Sequence, residues 1–526
     1  MKTHYDYIIV GSGSAGSIIA TRLSENSTKS ILLIEAGEDY RDFNSLPNDF
    51  KYGFGPELTN DWWIKSGNKN RSLFVANSTE EQKSPMLIPR GKVVGGSSAV
   101  NAQIFLRGDP DDYNSWAENG NYEWSFEKCL PEFIKIENDL DFAGDFHGKK
   151  GPIQVRRHTK DEMTQDAIAF DEGFQSIGFP PTKDHNDPDS TGVGPLPFNT
   201  VNRIRQNAAM CYLNPIRSRK NLHLKSNSLV QKIIIKDSKA IGVEVIQNQK
   251  VSNFYSEETI ICAGAIGSPH LLMLSGIGPA EHLKEIGINL INHLPGVGKN
   301  LRDHPQVNLT WGKKDSYIHE KQSLKRGVTI GLRYTATGSN SNNDMLIHNT
   351  ATIFPSIYFG AHSKDKYSGI GMIVCLYLAL GSGELKLRAP NPLIQPLLNY
   401  NYFQEEEDLR RMREGVRLAL QVGENASYSK IISSIIKPSL QQINDDKLLN
   451  HWIKQNARTS HHISGTCKLG TEKDSMSVVN QYGKVHGIKN LRIADASIMP
   501  DCVRANTNLP TMMIAEKISQ FISNGK

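Results

Sequence analysis

A short apolar run followed by three spaced glycines constrains the fold of this chain more than any other feature. Ile8-Ile9-Val10 leads directly into Gly11-Ser12-Gly13-Ser14-Ala15-Gly16. This order is typical of a buried parallel strand that turns tightly into a helix. Gly11 permits the turn, Gly13 lets the backbone approach a pyrophosphate, and Gly16 lets the helix pack closely on the strand. Because the start of such a helix binds phosphate oxygens, the stretch predicts a dinucleotide-binding βαβ unit.

A second strand and an acidic residue complete this pattern. The run Ile31-Leu32-Leu33-Ile34 is entirely apolar and ends on Glu35. A carboxylate at this place can accept hydrogen bonds from a ribose. It would also repel a 2′-phosphate, which disfavours NADP, and these residues alone leave NAD and FAD open.

Length and composition indicate a large soluble enzyme. A chain of 526 residues exceeds one ordinary core, so two domains or one large composite body are expected. The net charge of +5 is spread along the chain, and its longest basic run is Arg217-Ser218-Arg219-Lys220. We therefore expect no nucleic-acid partner.

Cysteine spacing and hydropathy narrow the class of protein further. The six cysteines show no CxxC spacing, which argues against a disulfide framework or a zinc site, and we predict no metal site. No apolar run approaches the ~20 residues of a membrane span. The first strand begins too early to leave room for a signal peptide, so a cytoplasmic location is expected.

A second glycine-rich stretch, PRGKVVGGSSAVNA, occupies residues 89–102. Glycines and small hydroxyl residues let the backbone approach a flat ligand and supply hydrogen-bond donors. Taken alone, the stretch is also compatible with a plain glycine-rich turn.

Together the two stretches resemble the glucose–methanol–choline (GMC) family of FAD-dependent oxidoreductases. The family's continuation is matched at 107–113 and at Trp116, and further signatures are matched at 264–279 and 294–304. The resemblance runs from residue 5 to about 523 and is weakest between about 311 and 450. It implies FAD as the nucleotide. It also implies an α/β fold (α+β overall), with a Rossmann-like FAD-binding domain and a second domain of antiparallel sheet plus helices.

The expected FAD-binding domain is discontinuous and comprises residues 1–155, 200–310 and 455–526. The substrate-binding domain comprises 156–199 and 311–454, where 345–348 and 371–378 predict antiparallel strands and 404–423 predicts a helix. Short alternating runs over 222–262 predict a strand meander. The resemblance implies that its last strand returns to the nucleotide sheet. The Ser/Asn-rich run at 338–343 predicts a flexible loop.

Two loops near the carboxyl end carry the residue types that alcohol oxidation requires. The hydroxyl proton must leave as the C–H bond breaks, and a histidine can accept it near neutral pH. An asparagine can donate a hydrogen bond to the developing alkoxide. The resemblance assigns His462, in an H-x-x-G-T motif, as the base, and Asn506 as its partner, with hydride transfer to flavin N5.

Departures from the family pattern also carry predictions. The family usually has H-P-V-G-T, whereas Ile463 and Ser464 stand here, which predicts a less rigid loop. Family members with covalent flavin attach it through a histidine at the position of Val100, which has no nucleophile. We therefore expect non-covalent FAD. The cofactor-binding residues that the motifs and the resemblance together imply are Gly11, Gly13, Ser14, Ala15, Gly16, Glu35, Ala36, Arg90, Val94, Gly95, Gly96, Ser97, Asn101, Ala102, Val230, Asp495, Ala496, Asn506, Asn508 and Thr511.

The expected substrate is a small alcohol, contacted by His348, His462 and Asn506. Choline-oxidising relatives present a carboxylate to the trimethylammonium group, and a rough alignment places Trp311-Gly312 there. A primary alcohol, an aromatic alcohol or a polyol is therefore favoured over choline. The electron acceptor, oxygen or another, remains open. The alternatives are a flavin-dependent lyase or fatty-acid photodecarboxylase on the same scaffold, and a non-enzymatic flavin-binding protein.

Overall fold

The structure, a computed structural model, describes residues 2–52, 71–79, 81, 86–317, 328–352 and 369–526. Within these ranges the chain forms two large sheets, several small ones, and helices that cover their faces. The strands, in chain order, are β1 His4–Val10, β2 Ile31–Ile34, β3 Arg71–Asn77, β4 Met86–Gly91, β5 Glu137–Asp139, β6 Ile153–Arg157, β7 Gly192–Pro195, β8 Pro197–Phe198, β9 Thr200–Val201, β10 Ile204–Arg205, β11 Leu222–Lys225, β12 Leu229–Lys236, β13 Lys239–Gln247, β14 Lys250–Ile261, β15 Ile277–Gly278, β16 Asn292–His293, β17 Pro305–Lys313, β18 Ile330–Tyr334, β19 Met345–Thr352, β20 Gly369–Leu376, β21 Glu384–Lys386, β22 Leu397–Asn399, β23 Ile432–Lys437, β24 Arg458–Thr459 and β25 Leu491–Ile493.

The helices are mostly short, and several of them pack against the two large sheets. Over the described residues, no helix has the length and apolar composition to cross a bilayer. The α-helices, in chain order, are α1 Ser14–Leu23, α2 Asn48–Tyr52, α3 Pro110–Glu118, α4 Phe126–Ile136, α5 Gln165–Ser176, α6 Gly264–Leu274, α7 Ala280–Glu285, α8 Glu406–Gly423, α9 Ala426–Ser429, α10 Leu440–Ile443, α11 Asp446–Asn456 and α12 Asn508–Ser523.

The first large sheet has the amino-terminal strand near its centre. Its strand order is β11-β2-β1-β14-β13-β12, and β25 also pairs with β14. The pairs around β1 and β2 are parallel, whereas β12, β13 and β14 form an antiparallel meander. Ile8, Ile9 and the whole of β2 are buried, as expected for strands covered on both faces. The predicted Rossmann-like βαβ unit is confirmed.

The second large sheet is antiparallel throughout. Its order is β23-β17-β20-β19-β18-β7, with β24 also paired to β17. Helix α8 packs on β20 with Leu409, Met412, Val416 and Ala419, which recur at helical spacing on its buried face. The predicted antiparallel strands and the predicted helix are therefore confirmed.

One predicted pairing is wrong. The segment 222–262 was expected to form a single meander, but β11 pairs in parallel with β2 at the sheet edge. Alternation of apolar and polar residues indicates that a strand forms, yet it does not identify the neighbouring strand. The meander comprises only β12 to β14.

A single apolar core extends through both sheets. It includes Ile9 and Ile260 of the first sheet and Leu309 and Ile373 of the second. β17 begins before the domain boundary expected after residue 310, and β24 pairs with it from the segment assigned to the other domain. The boundaries stay predictions. All six cysteines are free thiols in the structure.

Candidate active site

The turn between β1 and α1 shows which glycines the protein itself requires. Gly11 has φ +95°, and a methyl group there would lie 2.5 Å from the carbonyl oxygen of Cys262. A methyl group on Gly16 would overlap the carbonyl oxygen of Gly11. Gly13 differs, because its extended backbone suits other residues and a methyl would meet only Gly96 Cα, at 3.7 Å. The free space at Gly13 fits the close approach of a pyrophosphate.

The two glycine-rich stretches lie against each other. Gly95 N–H donates to the carbonyl of Ser12 at 2.9 Å, and a methyl on Gly96 would come within 2.5 Å of Gly13 Cα. The carboxyl-terminal helix joins them, since Ser14 Oγ donates to Asn508 Oδ1 at 2.7 Å. Segments more than 400 residues apart thereby form one surface.

Glu35 is buried and organises this surface. Its carboxylate accepts from Ser12 N–H at 3.0 Å, Ser12 Oγ at 2.8 Å and Gly37 N–H at 2.8 Å. Burial raises the pKa of this carboxyl, although these hydrogen bonds oppose the shift. A carboxylate can accept about four hydrogen bonds, so one position remains for a ribose hydroxyl.

Two predicted cofactor residues have structural partners of their own. Asn101 Oδ1 accepts from Arg205 Nη1 at 2.7 Å. Asp495 accepts from Gly264 N–H at 2.9 Å, Ser268 Oγ at 2.5 Å and Ser497 N–H at 2.8 Å, and so joins the start of α6 to the turn after β25. Of the remaining predicted cofactor residues, Ala15, Val94, Val230, Ala496 and Thr511 are buried, whereas Ser14, Ala36, Ser97 and Ala102 are half-buried.

Several predicted cofactor residues hold buried polar atoms that no described residue satisfies. They include Arg90 Nη2, Asn506 Oδ1 and Asn508 Nδ2. Buried polar atoms are almost always hydrogen-bonded in folded proteins. Because these atoms belong to the stretches that meet at Gly13, they fit a polar ligand such as FAD.

His462 lies at the centre of the predicted catalytic site. Its Nε2 is 2.9 Å from Asn506 Nδ2, and its Nδ1 is 2.8 Å from His304 Nδ1. The structure thus brings the predicted base and its predicted partner together. Arg90 Nη1 donates to the carbonyl of His461 at 2.8 Å, which links the second glycine-rich stretch to the same loop.

Hydrogen bonds to the segment around Asp303 hold the loop that carries His462. Asp303 Oδ1 accepts from His462 N–H at 2.8 Å. Arg302 and Ser464 exchange backbone hydrogen bonds of 3.0 and 2.9 Å, and Ser460 N–H donates to the carbonyl of His304 at 3.0 Å. These bonds constrain the loop where family members have a proline, and its lower rigidity stays a prediction.

Burial keeps the site histidines neutral. Burial lowers the pKa of His462 well below its usual value, and the nearby His304, His461, Arg90 and His348 lower it further. Burial also lowers the pKa of His304 to about 3 and that of His348 to about 4. A neutral imidazole with a free lone pair is the form that accepts a proton.

His348 is near the site but only partly available. It lies on β19, is buried, and its Nδ1 is 3.0 Å from the carbonyl of Asn349. It lies close enough that protonation of His348 would lower the pKa of His462. The other ring nitrogen is the one that remains for a substrate oxygen.

Trp311, which the rough alignment places at the carboxylate of choline-oxidising relatives, does not lie beside His462. Trp311 is buried on β17 and packs beside Gly423 of α8, in the core between sheet and helix. Gln306, on the same strand, is closer to the site, since its Oε1 accepts from Ser460 Oγ at 2.9 Å. The absence of an acid at Trp311 therefore says nothing about the substrate.

Sequence reasoning missed three residues around His462. Asp303 and His304 stand in the motif at 294–304, to which no individual role was assigned, and Cys502 precedes Asn506 by four residues. His304 Nε2 is 3.0 Å from Cys502 Sγ. An aspartate–histidine pair within a family signature was the available signal.

A separate buried cluster offers metal-ligand atoms. Atoms of Glu137, Asp139 and His147 lie within 4.8 Å of one another. Burial opposes the charge on His147, but hydrogen bonds to three carboxylates outweigh it and raise its pKa to about 10. The cluster pairs three carboxylates with three cations: Glu137, Asp139 and Asp184 with Arg107, Arg157 and His147. Arg157 Nη1 also lies 3.8 Å from Asp141 Oδ2. Each carboxylate of the cluster thus has a cationic partner within the protein, and the absence of a metal site stays a prediction.

Comparison with known proteins agrees with this geometry. Family models described as GMC oxidoreductase match residues 5–306 and 380–515. An oxygen-dependent choline dehydrogenase of Vibrio vulnificus is 32% identical over 99% of this chain and 95% of its own. The mitochondrial choline dehydrogenase of Homo sapiens is 33% identical over 99% of this chain and 90% of its own. The pyridoxine 4-oxidase from Mesorbium loti shares the fold with a TM-score of 0.90, at 26% identity and 99% coverage of both chains.

These matches extend over most of the chain and include both glycine-rich stretches and the loops of His462 and Asn506. The chain belongs to the GMC oxidoreductase family of FAD-dependent enzymes.

Proposed function

We propose that this protein oxidises an alcohol to an aldehyde or ketone, with His462 as the general base and Asn506 as the hydrogen-bond donor to the substrate oxygen. The 2.9 Å contact between His462 Nε2 and Asn506 Nδ2 carries the proposal. A hydroxyl oxygen about 3 Å from both atoms completes a triangle with normal hydrogen-bond lengths.

His462 and Asn506 have different roles in the proposed reaction. His462 Nε2 takes the hydroxyl proton, and the Asn506 amide donates to the oxygen as negative charge develops on it. Burial makes the positive charge that His462 gains unfavourable. The negative charge that develops on the adjacent substrate oxygen offsets this cost. FAD, when bound, accepts the hydride from the substrate carbon.

The residues that would hold FAD are those that meet at the β1–α1 turn. We infer that the backbone of Gly13 and Gly96 faces the pyrophosphate, and that Arg90 and Asn508 face the flavin half with their unsatisfied nitrogens. We infer non-covalent attachment, because Val100 is an apolar residue of a small cluster with Phe50 and Val93. Acid precipitation should release all the flavin to the supernatant, and flavin in the pellet would contradict this.

The substrate class follows from the charge around the base. Burial of the site and the nearby charge of Arg90 both lower the pKa of His462, and both disfavour a cation beside this base. We propose an uncharged alcohol, whereas the names of the relatives make choline the first alternative to test.

Flavin bleaching tests both proposals together. The purified holoenzyme is mixed anaerobically in the dark with benzyl alcohol, 1-hexanol, glycerol or choline, and the visible flavin band is followed. We expect bleaching by an uncharged alcohol faster than by choline, and a fall of roughly 10²–10⁴-fold in His462→Ala. Consumption of a fatty acid only under blue light would instead support the photodecarboxylase alternative. Faster bleaching by choline would overturn the proposed substrate class but not the proposed reaction.

A further inference from the structure

A line of buried polar contacts continues behind the proposed base. His462 Nδ1 lies 2.8 Å from His304 Nδ1, and His304 Nε2 lies 3.0 Å from Cys502 Sγ. Ser464 Oγ donates to the same sulfur at 3.8 Å. His304 and Cys502 are almost inaccessible to solvent, so water does not compete for these contacts.

Proton counting links the two imidazoles. Both rings are neutral, and each neutral imidazole carries one N–H. A hydrogen bond between two Nδ1 atoms requires a proton on one of them only, so the rings adopt opposite tautomers. If His462 carries the proton on Nδ1, its Nε2 is bare, and His304 carries its own proton on Nε2, facing Cys502. In the opposite arrangement Nε2 of His462 is protonated and cannot act as a base.

The ends of the line favour the first arrangement. Ser464 donates to the Cys502 sulfur, and the same sulfur can accept a second hydrogen bond, from an N–H on Nε2 of His304. At the other end, the amide nitrogen of Asn506 faces His462 Nε2, and a donor there requires a bare Nε2. The Asn506 end therefore selects this pair of tautomers, and the Cys502 end is compatible with it.

We propose that His304 and Cys502 are positioning residues that hold His462 in the tautomer with a bare Nε2. The inference rests on the proposed function of His462 and adds the group that sets its proton. Neither residue needs to contact substrate or cofactor for this role. The ring of His304 is itself fixed, since it stacks on Tyr377 with centroids 4.4 Å apart and an interplanar angle of 22°.

Two substitutions at His304 separate hydrogen bonding from packing. Asparagine and leucine have similar size, but only asparagine offers an oxygen near the former Nδ1 position. We expect His304→Leu to slow flavin reduction by roughly 10- to 100-fold. This loss is smaller than the full contribution of a general base, because His462 itself remains. His304→Asn should recover most of the rate. Equal losses in both variants would indicate packing alone and would overturn the proposal.

Cysteine variants test the far end of the line. Cys502→Ala should slow flavin reduction by less than about 10-fold, because the carbonyls of Val503 and Tyr377 also form hydrogen bonds with the His304 ring. Cys129→Ala is the matched control, since Cys129 is equally buried but lies on α4, with its Sγ 3.5 Å from the carbonyl of Trp124. A larger loss in the control than in Cys502→Ala would count against a specific role of Cys502.

A spectroscopic measurement tests the tautomer without turnover. A proton held between two buried ring nitrogens should resonate downfield of the amide region in a one-dimensional proton spectrum of the holoenzyme. We expect such a signal in the wild type and in His304→Asn, and its loss in His304→Leu and His462→Ala. A signal that persists in His304→Leu would refute the shared proton. Unchanged flavin reduction in His462→Ala would refute the proposed function instead, so the two failures are distinguishable.

Discussion

Replacing Gly13 by alanine separates what the fold requires at the β1–α1 turn from what a bound nucleotide requires. Gly13 has φ −70° and ψ −159°, an extended conformation that alanine also adopts. The new methyl group would make only ordinary contact, 3.7 Å from Gly96 Cα. In Gly16→Ala the methyl would overlap the carbonyl oxygen of Gly11. Gly13→Ala should therefore fold, and Gly16→Ala should not.

The expected changes in stability and in FAD affinity of Gly13→Ala follow from the space around the new methyl group without and with FAD. A glycine replaced by alanine without strain gains about 0.4–1 kcal/mol of stability, because the unfolded chain loses freedom. A methyl group forced against a pyrophosphate costs roughly 1–3 kcal/mol, as in an overpacked site. That cost corresponds to FAD binding weaker by about 5- to 150-fold.

The assay measures the fold and the affinity separately. Thermal midpoints are compared for wild type and Gly13→Ala, each freed of FAD and then titrated with it. Without FAD the two midpoints should agree within a few degrees. Added FAD should raise the wild-type midpoint at concentrations that leave the variant unchanged. Wild-type FAD affinity in Gly13→Ala would show that this residue does not face the pyrophosphate.

Three further predictions concern pH and the buried charges. The pKa of His462 lies well below 6.5, so His462 stays neutral and the rate of flavin reduction should be constant from pH 9 to below pH 6. An inflection near 6.5 in the pH profile would contradict this. Burial lowers the pKa of His185 to about 4, so its neutral form favours folding above pH 6.5 and this contribution falls as the pH drops toward 4. Urea unfolding at pH 7 and 5.5 should show about 1 kcal/mol more loss in the wild type than in His185→Gln. In the wild type Arg504 Nε donates to Asp112 Oδ1 at 2.7 Å. Arg504→Met leaves this buried carboxylate without its cationic partner, so chemical unfolding should show a free energy of unfolding lower by about 3–5 kcal/mol. Adding Asp112→Asn should restore part of it, and strictly additive losses would deny the coupling.

Features that depend on residues close together in sequence were predictable. The β1–α1 turn is an example, because glycine spacing and apolar runs decide its geometry locally. The pairing of His462 with Asn506 was also anticipated, since both lie in motifs that the family resemblance identifies. Their roles stay predictions until the enzyme is assayed.

Contacts between distant segments were not predictable. His304 and His462 are 158 residues apart, and no local pattern indicates that their rings touch. The run at 338–343 was expected to be flexible from its composition. In the structure Asn343, at the end of the run, is buried and donates to Asp109 Oδ2 at 3.2 Å and to the carbonyl of Ser190 at 3.0 Å. Gly338, Asn340 and Asn342 are exposed, and the flexibility of the run stays a prediction. The composition of a loop does not identify the tertiary hydrogen-bond partners of its residues.

The two proposed catalytic side chains are supported from different sheets. His462 follows β24, which pairs with β17 of the second sheet, whereas Asn506 precedes α12, which packs on α1 beside the first sheet. A relative displacement of about 1 Å would disturb the substrate geometry. Because one apolar core spans both sheets, such a displacement requires the core itself to loosen. On heating, loss of turnover and loss of the fold should therefore coincide, and mutations in the shared core should shift both temperatures together.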